Sequence, residues 1–490
     1  MSSLKYKLVC LIVAVIALVV GGLMEPMLTA RRKVVVPAKV TLSQDLATRF
    51  PILVLGGFRG PLVMALWMQA EELKNQRKWH EVTTLHNLIA HLQPHFGSVY
   101  VFNAWNQAYN MSAQWQSLEK KYEWVKKGLD YAKLGLRYVP DNPDLVHQLQ
   151  FIYDHKLGRS HEKKFYRRRF REDSLKFPVI DREKYPDAAL PFDYEPDGPV
   201  PFDYQEITDP ETFPFGQSPF YYSFKYANRL RRLPPTTQMG RMVVKFRTPM
   251  ALRAWANNEL YEGIMTAYRA YGVLPEDEVT PEAKPEKSAR AVPADLDETD
   301  DVETSLLLPG VKIDKKEHPV ESPEDKRARL IEQAKHHFAL AADLYERAEK
   351  IFDEYITEHP RKRFVHRKHQ TRSRIRRYEA LARRELLMGL VPLIGTTRRP
   401  GPEEIRHFSR AVAQFKRAAK QWDTFARDRW PFRYDSNGKL IKELDRDDVY
   451  TQINEIRRRI YDMASLLDNP NTRPTITMLA GPIDNVTEEY

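Results

Sequence analysis

Trp79, Val82, His86, Ile89 and Pro94 follow one another at intervals of 3, 4, 3 and 5 in the stretch RKWHEVTTLHNLIAHLQP. That spacing puts the first four side chains on one stripe of an α-helix and ends the helix at a proline, which cannot continue it. The pattern returns in EWVKKGLDYAKLGLRYVP, which closes at Pro140 and sets Gly128, Ala132 and Gly135 on one side. Small residues there permit close approach of a neighbouring helix. Asn142-Pro143 then opens a further helix through Val146, Leu149 and Ile152, ending near Gly158. Internal similarity supports repetition: Ala65, Trp67, Gln69 and Ala70 recur as Ala104, Trp105, Gln107 and Ala108, about 38 residues on. A chain patterned this way is expected to be all-α, built of stacked helical hairpins.

FPILVLGGFRGPLVMALWMQAEEL, residues 50–73, holds three glycines in five residues. A phosphate-cradling loop would need the GxGxxG spacing or a following Lys-Ser/Thr pair, and neither is present. Pro61 instead suits the first turn of a helix, and Leu62, Ala65, Leu66, Ala70 and Leu73 continue with helical spacing. The glycines are read as a helix entrance.

Leu8 to Met24 is a run of 17 residues without a charge, about 25 Å as a helix and close to the bilayer core of about 30 Å. One N-terminal transmembrane helix is therefore expected, contacting the lipid bilayer through Leu8–Met24. The competing reading is a signal peptide cleaved at Val20-Gly21-Gly22. The short N-terminus favours export of the body, whereas Arg31, Arg32 and Lys33 argue for the opposite orientation under the positive-inside rule; an extracytoplasmic body is the favoured reading. The single cysteine, Cys10, lies inside this run, so the rest of the chain has no disulfide, thiolate metal site or cysteine nucleophile. A formal net charge of +11 favours acidic partners without choosing among lipid, nucleic acid and protein.

Composition shifts divide the chain into a tail at 1–7, the anchor at 8–24, a spacer at 25–49 and helical repeats at 50–160. A basic helix end and a proline- and aromatic-rich excursion follow at 161–224, with PFDY at 191 and again at 201, expected to lie extended across the helices. The helical segment 225–273 has Thr248 as expected N-cap, Pro249 in its first turn and Gly272 as its stop. Residues 274–323 are acidic and proline-rich and are expected to be disordered. The C-terminal helical region spans 324–466, with Phe408, Val412, Phe415, Ala419 and Trp422 on one inward stripe and Ile453, Ile456, Ile460 and Met463 on another, before a loose tail at 467–490. In LYERAEKIFDEYITEHP, Tyr345, Ala348, Phe352, Tyr355 and Pro360 have second-helix spacing, but no turn signal precedes them. One long amphipathic helix fits equally.

Side chains suited to chemistry are scattered. His366 and His369 sit among cations, His336 and His337 are adjacent, His86 and His91 occupy packing positions, and HExxH is absent. GxSxG is absent as well. No catalytic residue, metal or other cofactor is expected. Asp193 and Asp203, with Tyr194 and Tyr204, are the one pairing that resembles a glycan-binding or glycan-cleaving surface in the 191–224 loop. Two basic runs stand out: 156–171 has eight Lys or Arg against one Glu, and 361–377 has nine and no acid. Arg372, Arg374, Arg376 and Arg377 are the candidate anion-binding residues, for anionic lipid before nucleic acid.

GGFRG, LWMQAEEL, LQPHF, FNAWNQAYN and NPDLVHQLQFIYDHKLG together resemble an uncharacterised family of bacterial membrane-anchored proteins with tetratricopeptide-like helices, over about residues 50–160. The resemblance implies an α-solenoid whose concave face binds peptides or protein segments, and it brings no catalytic residues. The expected function is a membrane-tethered scaffold for protein–protein interaction at the cell envelope. Its candidate partner-binding surface is drawn from first helices: Gln69, Asn103, Asn106, Gln107 and Asn110.

Overall fold

The computed structural model describes residues 59–140, 142–179, 206, 208, 210, 213–233, 238–274, 322–358, 363–427, 433–434, 440–441, 446–469 and 471–481. The expected anchor, the PFDY repeats and nearly all of the 274–323 linker lie outside these residues. The described chain is all-α apart from one short antiparallel pair, Arg433–Tyr434 with Leu440–Ile441, and a single parallel bridge, Val179 to Thr208. No helix among the described residues is long and apolar enough to cross a membrane. Two compact units meet between Trp255 and Ala256.

Unit 1 begins with α1 (Arg59–Asn75) and α2 (Trp79–Leu92), which pack together. Pro61 falls in the first turn of α1, as a helix entrance requires. Next come α3 (Gly97–Trp105), α4 (Leu118–Tyr138), α5 (Pro143–Phe151) and α6 (Lys163–Ser174). Both α3 and α5 run on into a π-helical turn, Asn106–Met111 and Ile152–Leu157. Consecutive helices touch from α1 to α5, α6 touches the π-helical turn 152–157, and α3 and α5, the first helices of successive hairpins, touch as well. The Asn142 cap is the one the sequence announces, and Ser117 adds another. Ser117 Oγ accepts from Lys120 N at the start of α4, and Asn142 Oδ1 accepts from Asp144 and Leu145 N ahead of Pro143. A Cβ on Gly128 would lie 2.7 Å from Ala104 O, and one on Gly135 would lie 2.7 Å from Tyr100 Cβ. The absence of side chains there is what lets α4 press onto α3.

After α6 the chain returns at Glu206, whose carboxylate lies 2.8 Å from Lys133 Nζ and accepts from the Tyr153 hydroxyl. Helix α7 (Pro219–Arg232), capped by Ser218, stacks Tyr222 and Tyr226 on Tyr153 at 5.2 and 5.8 Å. The proline-rich stretch thus becomes helical at 219, earlier than expected, because Ser218-Pro219 is itself a helix start. Helix α8 (Gln238–Ala270) carries the unit boundary. It starts ten residues before the expected Thr248. Pro249 lies inside it, and Thr248 donates to Ala227 O rather than capping. Residues upstream of Pro249 continue the helix, which a local Thr-Pro signal does not reveal.

Unit 2 holds the rest of α8, then α9 (Pro323–Glu358), α10 (Arg363–Leu390), α11 (Pro402–Arg427) and α12 (Arg446–Asp468). Gly272, at φ +67°, ends α8 as expected: Val273 N bonds Tyr268 O and Gly272 N bonds Arg269 O. Ser322 caps α9, which is one continuous helix of 36 residues and not a hairpin. Phe408, Phe415 and Trp422 of α11 are buried, with Val412 and Ala419 at the margin of that stripe. On α12 the inward position is taken by Arg459, at 6 % exposure, and Ile460 is only half-buried. The expected loose tail is ordered over 471–481: Ile476 and Leu479 are buried in a 3₁₀ turn, and the Tyr268 hydroxyl donates to Gly481 O at 2.6 Å.

Candidate functional site: an aromatic face on the first helices

The amides expected to line a docking surface are mostly inside. Asn103, Asn106 and Gln107 are buried, while Gln69 is exposed and Asn110 half-buried. Asn103 Nδ2 donates to Asn87 Oδ1 (3.1 Å), Asn106 Nδ2 to Thr83 Oγ1 (3.0 Å), and Asn110 Nδ2 to Asn106 Oδ1 (3.1 Å). They form a neutral seam that fastens α3 to α2. An amide tolerates burial when its donor is met, even though Asn103 Oδ1 has no hydrogen-bond partner among the described residues, so polarity is a poor guide to exposure here. His86 belongs to the same seam, and burial pulls it down to about 4, leaving it neutral.

What α3 leaves to solvent is one position round the helix. Phe102 and Trp105 are 45 % and 40 % exposed, and Tyr109 is half-buried. Their spacing of three and four places them on one face. Trp105 stacks on Tyr109 at 4.1 Å between ring centroids, with the planes 16° apart. On α5, Phe151 stacks on His155 at 4.9 Å and 7°. The two pairs are equivalent in build: an aromatic residue just before a π-helical turn, and a second ring four residues later as the fourth residue of that turn. Such turns insert a residue into the helix and often mark functional positions.

The pairs also meet. Trp105 to Phe151 is 5.8 Å, Tyr109 to His155 is 5.9 Å, and the Tyr109 hydroxyl lies 3.2 Å from His155 Nδ1. Beneath them Lys156 sits 5.4 Å from the Tyr109 ring, and burial lowers its pKa. On α1, Trp67 meets Phe102 at 5.2 Å, and Met64 and Met68 on the same stripe are 66 % and 63 % exposed. Three successive first helices therefore present one aromatic and thioether face. His147 lies at its edge against Phe151 (6.2 Å), and burial, then Arg247, bring it to about 4.

In unit 2 the candidate anion-binding arginines turn inward to the chain's own glutamates. Arg374 Nε donates to Glu349 (2.6 Å), Arg376 pairs with Glu379 (2.7 Å), and Arg377 lies 3.5 and 3.6 Å from Glu346 and Glu349. Arg372 is half-buried, and burial followed by the nearby Arg376 brings it to about 10. Over 372–377 the arginines Arg374, Arg376 and Arg377 are thus engaged with carboxylates of the described residues. Asp193, Tyr194, Asp203 and Tyr204 lie outside the described residues. Among the described residues, no three His, Cys, Asp or Glu side chains converge to hold a metal ion. In comparisons with protein-family models, curated proteins and solved structures, nothing matches the chain.

Proposed function

We propose that this chain is a membrane-tethered helical-repeat protein that binds other proteins at the cell envelope and does not itself catalyse a reaction. Its hairpins would stack as a tetratricopeptide-like solenoid, with the apolar run Leu8–Met24 as tether and the body on the extracytoplasmic side. The observation behind this reading is the repeated ring pair, Trp105–Tyr109 and Phe151–His155, left partly in water on adjacent first helices. Large rigid rings that could be covered but are not have the character of interface anchors.

The test uses the full chain in detergent, with and without the double substitution W105A/F151A, as bait for solubilised envelope proteins identified by mass spectrometry. The double variant should keep its helicity and lose its co-purifying proteins by about tenfold or more. Retention of the same proteins would remove this face as the docking surface. A reporter fused after Tyr490 that reads out on the cytosolic side would remove the envelope assignment.

A further inference from the structure

Two connecting segments of unit 2 come together at its surface. The loop 391–401, which joins α10 to α11, and the segment 469–474, which follows α12, line one cleft. With its open mouth the cleft encloses about 410 Å³. Buried Leu393 and Leu466 give it an apolar base. Arg398 and Arg399 line it from the first segment and Arg473 from the second, and no aspartate or glutamate lines it. Like charges gathered in one concave site focus their field there and favour an anion.

The three arginines are not equivalent. Arg398 donates to Glu404 Oε1 at 2.6 Å, while Glu404 Oε2 accepts from Gly401 N at 2.8 Å. That carboxylate answers Arg398 and ties the loop to the start of α11. Arg399 and Arg473 are exposed, and neither pairs with a carboxylate among the described residues. Thr397 and Thr472 add hydroxyls to the same lining. The backbone that carries these groups is held in place. Gly395, at φ +80°, turns the loop, and Thr396 N and Oγ1 both donate to Leu393 O, at 3.0 and 2.8 Å. In the second segment Thr472 N donates to Asn469 O at 3.1 Å.

We propose that this cleft binds a phosphate monoester with a small apolar substituent, Arg399 and Arg473 holding the phosphate and the leucine base receiving the substituent. A phosphate monoester carries close to two negative charges at neutral pH and so answers two uncompensated cations, whereas a carboxylate answers one. The planar guanidinium fork also matches paired phosphate oxygens. No aromatic ring lines the cleft, so a nucleobase would have nothing to stack on. Its size lies at the small end of ligand sites, which suits a small ester or a lipid headgroup and not a polymer.

The test titrates the full chain, in a phosphate-free detergent, into phenyl phosphate and separately into dihexanoyl phosphatidic acid, and follows the phosphorus NMR line width of each. At least one probe should broaden saturably. R399Q and R473Q, both at exposed positions where the fold has little at stake, should each weaken that binding by about tenfold or more. R377Q removes an arginine outside the cleft and should leave the binding unchanged, which separates the site from the net charge of the chain. Tighter binding of the phosphatidic acid assigns the site to a lipid headgroup, and tighter binding of phenyl phosphate assigns it to a soluble ester. No broadening of either probe, equal binding by the parent and both cleft variants, or an equal loss in R377Q would overturn the proposal.

Discussion

The α2–α3 seam of unit 1 and the α10 face of unit 2 keep polar groups inside by opposite means. Unit 1 joins α2 to α3 through uncharged amides and a neutral histidine, His86. Unit 2 instead buries arginines beside carboxylates of their own helix, Arg376 and Arg383 on Glu379 in α10 and Arg459 on Glu455 in α12, and α11 reaches this charge through Trp422 Nε1. A neutral seam is weakly held and loses little when one bond goes. A buried ion cluster is costly to assemble and costlier to break, because removing one partner strands the other. The two units should therefore differ in what damages them and at what pH.

The largest effect is expected at Glu379. Substitution by Gln takes from the buried Arg383 and from Arg376 the carboxylate they share and should cost about 3 to 5 kcal/mol, read as a lower urea midpoint. Burial alone would raise this carboxyl, but Arg376 and Arg383 hold it near about 2 against an ordinary 4.5. Its stabilisation is thus complete above about pH 4.5 and lost as pH falls from there toward 2. A loss under about 1 kcal/mol would show that the cluster is wetter than its burial implies.

His86 tests the other side of the comparison. Burial holds its folded pKa near 4, below the ordinary 6.5, so the fold favours the neutral ring. The resulting stability is full above about pH 6.5 and declines as pH drops from 6.5 to 4, by on the order of 3 kcal/mol at the limit. Unit 1 should weaken in an acid range where Glu379 is still ionised. Urea midpoints at several pH values between these limits, for the chain and for H86L, check this; the variant should lose the slope. An unchanged slope would mean that other groups, His147 first, govern the acid response of unit 1.

How much of this was legible in sequence follows from the same contrast. Periodicity located the helices of unit 1, and Gly128, Gly135 and Asn142-Pro143 announced the close contact and the cap, because each acts through its neighbours in the chain. The first helices do expose a face, but it carries rings and not the amides. Polarity alone suggests exposure for Asn103 and Asn106, whereas hydrogen bonds to α2 take them in and leave Trp105 outside. A signal was present in the recurrence of Trp67 as Trp105 with a ring four residues after the second. In unit 2, Arg459 gave no warning: its partners Leu479 O and Glu455 O are backbone carbonyls, which no residue type encodes. Nor does sequence name the counterions of Arg374, Arg376 and Arg377, which come from α9 and from the next turn of α10.

Glycine substitutions sharpen the difference by a smaller amount. A Cβ at Gly128 meets backbone, Ala104 O at 2.7 Å, while one at Gly263 in unit 2 meets the edge of the Phe338 ring, also at 2.7 Å. A ring can shift by a few tenths of an ångström more easily than a helix backbone can. Alanine's better helix propensity offsets about 1 kcal/mol at either site. G128A should therefore destabilise by about 1 to 3 kcal/mol and G263A by less, measured by thermal unfolding. Equal costs would mean that the two units are equally tightly packed at these crossings.

The smallest effect is expected from Arg377. It lies one position from Arg376 but 29 % exposed, with Glu346 and Glu349 at 3.5 and 3.6 Å. Water competes for its guanidinium, and neither contact is short enough for a strong charge-assisted bond. R377A should cost no more than about 1 kcal/mol, and added salt should erase most of the difference between variant and parent. Arg376 should respond in the reverse manner, with a larger cost that salt does not remove, because its partner Glu379 is buried. If the two arginines behave alike in salt, burial along α10 does not separate inner from outer charges, and the contrast drawn between the units fails at this helix.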